Sequence, residues 1–153
     1  MKKNNRLEAW LAVWEQGVLS PFPKPYRAFF HCFNAGDYYE AHDVLEHLWL
    51  QCTGADRSFY QGLIQLAGAF VHLQKHAQFP LHPTHSRRLA PAQRLFALSA
   101  HRLRAYPQRH LGLDLGAVLQ LCADWSERAS VGENPLERFA PPVLVLADLG
   151  GER

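Results

Sequence analysis

Between Glu40 and His47 the chain places five ionisable side chains in eight residues: Glu40, His42, Asp43, Glu46 and His47. Carboxylates and imidazoles are ordinary ligands of zinc, manganese and iron, and His42 and Glu46 stand one helical turn apart, so both can reach one ion. A second polar set follows. Gln61, Gln65, Gly68, His72 and His76 fall on one stripe of a helical segment whose opposite surface is Leu63, Leu66, Ala67, Phe70 and Leu73. From Phe59 to Gln74 no residue is charged. The amides and imidazoles there must be paired or wet, because burying an unpartnered polar group costs roughly 1–3 kcal/mol. Carboxylates of the preceding helix are the natural partners. Arg57 supports the pairing, since a cation in a first helical turn opposes the helix dipole and calls for a carboxylate, here Glu46 or Glu40.

These residues form one candidate ligand-binding cluster, Glu40, His42, Glu46, Arg57, Gln61, Gln65 and His72, expected to converge between two antiparallel helices. Within it Glu40, His42, Glu46 and His72 are the candidate ligands of a divalent metal, the one cofactor these residue types suit. Three readings stay open. The cluster could bind a small ligand or metal ion without a defined reaction. It could be the centre of a metal-dependent hydrolase, with water on an open coordination position and Glu46 as base. Or it could be a purely structural polar core that fixes helix register in an interaction or dimerisation module. Whether the chain is an enzyme is thus left open. Neither a Glu-x-x-His pair of the di-iron type nor His-Glu-x-x-His occurs, and no serine or cysteine stands in a nucleophile context. Each member also has a plainer role: Glu40 in a capping box, His42 and Glu46 as a surface helical pair, Asp43 and His47 in solvent.

The elements that position these groups are helical, because no segment of four or more residues alternates in the strand period before the tail. Helices are expected over about Leu7–Glu15, Tyr26–Phe33, Asp37–Gln51, Arg57–His76 and Pro91–Ala105, with a sixth capped by Asp114 and carrying Val118, Leu121, Cys122 and Trp125. Asp37 and Glu40 have the spacing of a capping box, and Pro91 suits a first helical turn. The expected architecture is an all-α single domain over residues 1–153, a bundle of about six helices. Its core motif spans 26–76, and an extended C-terminal tail over about 139–153 packs on the bundle or on a second subunit.

Phe33-Asn34-Ala-Gly36-Asp37-Tyr38-Tyr39-Glu40-Ala-His42-Asp43-Val-Leu-Glu46-His-Leu-Trp49, followed by Arg57-Ser-Phe59-Tyr-Gln61-Gly62-Leu-Ile-Gln65, resembles the small proteins of the family called domain of unknown function 309. The resemblance covers Phe33 to about Leu73, and more loosely Tyr106-Pro107 and Gly112-Leu-Asp114 through Trp125. It implies an all-α fold and carries no established activity.

Composition narrows the rest. Cys32, Cys52 and Cys122 are odd in number and lack a CxxC pair, so reduced thiols in the cytoplasm are expected. The apolar run from Phe59 is too short and too rich in glutamine for a membrane span. A net charge of +2 says little, but no acid occurs between Asp56 and Asp114, while Arg57, Lys75, Arg87, Arg88, Arg94, Arg102, Arg104 and Arg109 do. A nucleic-acid surface is the minor reading of this stretch, set against a solvated face that neutralises the acidic helix. The expected partners are therefore a small molecule or ion, with a homodimer as a further option.

Overall fold

The computed structural model describes residues 21–79, 81–83 and 87–147; the helix expected over Leu7–Glu15 and the last six residues of the tail lie outside them. Five α-helices occur among the described residues: α1 Lys24–Asn34, α2 Tyr38–Gln51, α3 Arg57–Gln78, α4 Leu89–Leu103 and α5 Leu115–Ala129. None is long and apolar enough to cross a membrane.

Local chemistry accounts for most boundaries. Pro23 and Pro25 open α1, where missing amide protons cost nothing. Its end is a Schellman motif: Gly36 adopts φ +82°, its N–H donates to the Phe33 carbonyl at 3.0 Å, and the Asp37 N–H donates to the Cys32 carbonyl at 2.9 Å. Asp37 thereby closes α1 and opens α2, and its side chain caps nothing. The capping box expected of Asp37 and Glu40 does not form, because the turn has already fixed the Asp37 backbone. Asp114 does cap α5, accepting from the Ala117 amide at 3.2 Å.

The core is aromatic and centred on α3. The ring of Phe70, fully buried, lies 5.4 Å from Phe33 of α1, 4.9 Å from Tyr38 of α2, 5.2 Å from Phe96 of α4 and 5.0 Å from Trp125 of α5. One side chain thus touches the other four helices. Helices α2 and α4 both pack on α3, with α1 packed chiefly on α2 and α5 chiefly on α4. Gly62 allows α4 to approach closely, since a Cβ there would stand 2.8 Å from Leu103.

One departure from the all-α expectation is small. Arg109–His110 (β1) and Leu113–Asp114 (β2) form an antiparallel ribbon, with Leu111 at φ 49° and Gly112 at φ 76° in its turn. Two positive φ values in succession are the conformation of a tight hairpin turn that matches strand twist. The tail extends this ribbon: Leu146 bridges to Leu113, and the Ala147 N–H donates to the Gly112 carbonyl at 2.8 Å. Asn34 holds the tail at Leu144 from both sides, donating to its carbonyl at 2.8 Å and accepting from its amide at 2.7 Å. The tail therefore packs on the bundle, with Leu144 buried and Val143 and Val145 turned out.

Candidate functional site

Helix α2 brings together His42, Asp43 and Glu46. One ligand atom from each lies within 4.8 Å of the others, and His42 Nδ1 is 3.3 Å from Asp43 Oδ1. At about 100° per residue Glu46 sits angularly between the other two, one turn on, so all three side chains overlap on one flank. Metal bonds of about 2.1 Å place two ligands of one ion at most about 4.2 Å apart, so the widest pair would close by roughly half an ångström. Tyr39 stacks on the His42 ring, with centroids 6.4 Å apart and planes within 11°.

Asp43 is the unexpected member. Only 2% of it is exposed, although it lies roughly opposite the helix's apolar face, where the sequence places a solvated acid. A carboxylate closed off from water must be held by donors or cations, so Asp43 is not the solvated surface acid that the sequence suggests. The signal was present in the sequence as two adjacent ligand types, His42-Asp43, with a third one turn beyond His42.

The wider cluster divides. Arg57, at the start of α3, lies 4.0 Å above the ring of Trp49 near the end of α2. Gln74, near the end of α3, donates to the Gly36 carbonyl just before α2 at 2.8 Å. The two helices are therefore antiparallel, as expected. The same contacts set their register and place His72 beside the beginning of α2. With a rise of 1.5 Å per residue, that is about 12 Å along the axis from the level of Glu46. His72 turns elsewhere as well: its Nδ1 meets Arg88 Nη1 at 3.1 Å, and Gly68 on the same stripe faces Leu95 of α4. The polar stripe is half-buried, and at Gly68 and His72 it borders α4 and its N-cap.

His72 accordingly stands apart from the α2 group, and so does Glu40, which lies roughly 160° around α2 from His42, on the side toward Cys32 of α1. There Glu40, after burial and Asp37, helps to push the Cys32 thiol up to about 12. Arg57 has the Trp49 ring in place of the expected carboxylate, a contact worth about 0.5–2 kcal/mol. Gln61 is half-buried on α3, and the side-chain oxygen of Gln65 is buried with no hydrogen-bond donor among the described residues. Of the seven candidates, then, His42 and Glu46 meet and Asp43 joins them.

A second polar contact went unnoticed in the sequence. His110 Nε2 lies 2.7 Å from Asp56 Oδ1, and the Tyr106 hydroxyl donates to the Ala55 carbonyl at 2.7 Å. Both tie the ribbon to the α2–α3 connection, so the Tyr106 and Gly112–Asp114 parts of the motif have a structural role.

A family model agrees with the motif. Residues 26–78, from α1 to the end of α3, match the one described as "Domain of unknown function (DUF309)", the family the sequence resembles. The chain is also similar to the "Uncharacterized protein YpuF" of Bacillus subtilis (strain 168), 34% identical over 104 residues that make up 65% of this chain and 53% of the relative. It spans about half the length of that relative. No solved structure matches.

Proposed function

We propose that the protein binds a divalent metal ion through His42, Asp43 and Glu46. The convergence of one nitrogen and two carboxylate ligands, with Asp43 almost fully buried, carries the reading. This donor set suits zinc, manganese or iron, and three protein ligands leave a position for water or a small ligand. Binding is favoured over hydrolysis because Glu46, once a ligand, no longer serves as the base. The same reading takes the chain as one domain with a helical core, working in the cytoplasm, where its three free thiols would stay reduced.

Elemental analysis of protein purified without a His-tag, followed by calorimetric titration with zinc and manganese, tests the site. Stoichiometric binding is expected, weakened by an order of magnitude or more in His42→Ala, Asp43→Asn and Glu46→Gln. His72→Ala and Glu40→Gln should bind like the parent protein. Binding that survives both His42→Ala and Glu46→Gln would place the ion elsewhere and defeat the proposal.

A further inference from the structure

A groove of about 680 Å³ runs between the last turns of α5 and the segment that follows them to Phe139. Small-molecule sites occupy roughly 300–1,000 Å³, so the space suits a small ligand. Its apolar wall is open: Val131 is 72% exposed and Phe139 41%. Five charged side chains also line it, and they are unevenly engaged. Glu133 is paired with Arg138. Asp124 stands one turn before Arg128, the order in which an acid and an arginine ordinarily pair on a helix, but Arg128 turns to the rings. Its guanidinium lies 4.0 Å over Phe139 and 5.3 Å from the centre of the Trp125 ring. Asp124 is left with an amide donor, Gln120 Nε2 at 2.9 Å. Glu127 has no ion pair or side-chain hydrogen bond among the described residues, and Arg104, which lines the adjoining α4–α5 groove with it, makes no ion pair with it.

Both cations of the groove are thus engaged, while two carboxylates three residues apart on one face of α5 meet no cation. The geometry points to a binding site for a small organic cation, a protonated amine carried on an apolar body. Asp124 and Glu127 hold the ammonium, and Val131 and Phe139 pack on the body. An inorganic cation would leave the apolar wall unused. An anion would have to break the Glu133–Arg138 pair or lift Arg128 from two aromatic rings. The groove is built on α5, apart from the metal group of α2, and neither site needs the other.

Titration of the full-length ¹⁵N-labelled protein with tryptamine tests it. Backbone amides of α5 and of residues 131–139 should shift saturably in the millimolar range or below. Neither acid is buried, so the fold should tolerate Asp124→Asn and Glu127→Gln; each should weaken binding about threefold, as exposed ion pairs do, and the two together about tenfold. Val131→Ser should weaken it as well, since it removes part of the apolar wall. Indole-3-acetate, which carries the same ring on an anion, should bind about tenfold more weakly than tryptamine or worse. His42→Ala should leave tryptamine binding unchanged, which separates this site from the metal. Equal affinity for the two probes, tryptamine binding that survives the double variant, or shifts that never saturate or fall outside α5 and its following segment would overturn the proposal.

Discussion

Tyr26 donates its hydroxyl proton to the Leu111 carbonyl at 2.8 Å, and Leu111 is the single non-glycine residue with positive φ among the described residues. The left-handed conformation costs Leu111 roughly 1–2 kcal/mol, so the turn persists only where its surroundings hold it. Tyr26 is fully buried, and burial pushes its hydroxyl far above the normal tyrosine range, so it stays a donor at every ordinary pH. Tyr26→Phe keeps the ring, removes the donor and strands the carbonyl. A loss of about 1–2 kcal/mol is expected in a urea titration, without change in the aromatic core. An unchanged midpoint would mean that the turn holds itself. The same scale explains why the site was only half legible: a helical wheel reports where a side chain leaves its own helix, and Asp43 is buried by tertiary cover that the wheel does not contain. That His72 meets Arg88 and stands apart from the α2 group was hidden for a related reason. Its stripe was identified correctly, but periodicity does not say which neighbour the stripe meets.

At the level of elements, the helices were readable because each carries an apolar face several turns long, and their ends because proline, glycine and Asp114 have definite backbone roles. The ribbon was not readable. Its strands are two residues each, too short for any alternation, and what defines it is the Leu111-Gly112 turn with tertiary bonds to Tyr26 and Ala147. Gly112 is where this unit is most exposed to substitution. Besides its φ of 76°, a Cβ there would stand 2.7 Å from the Ala147 carbonyl and 2.9 Å from the ring of Phe22. Gly112→Ala should therefore detach the tail from β2 while the helices remain, at about 1–3 kcal/mol. Amide exchange at Leu144–Ala147 should accelerate markedly, with little change in α3. Protection of those amides equal to the parent protein's would show that Asn34 alone anchors the tail.

The molecule as a whole is held by a core in which acidic side chains keep their protons. Burial, before any neighbouring charge, raises Cys32 to about 12, Cys122 to about 11, and Tyr38 and Tyr60 each to about 12. In the unfolded chain these groups titrate near 9.0 for cysteine and 10.0 for tyrosine. Above pH 9 the unfolded state therefore releases protons that the folded state retains. Stability depends on the difference in bound protons, so it is undiminished below that pH and falls as pH rises, first through the cysteines and then through the tyrosines. Each group removes up to about 1.4 kcal/mol per pH unit until its folded value is reached, and several such groups approach the stability of a small domain. Urea midpoints measured from neutrality to about pH 11 should decline steeply above pH 9, ahead of any loss of arginine charge. Cys122→Ala should lower the plateau by opening a small cavity yet make the decline shallower, because one titrating group has gone. A midpoint that stays level to about pH 11, or a Cys122→Ala slope as steep as the parent's, would show that the core admits water and that its thiols and phenols titrate in place.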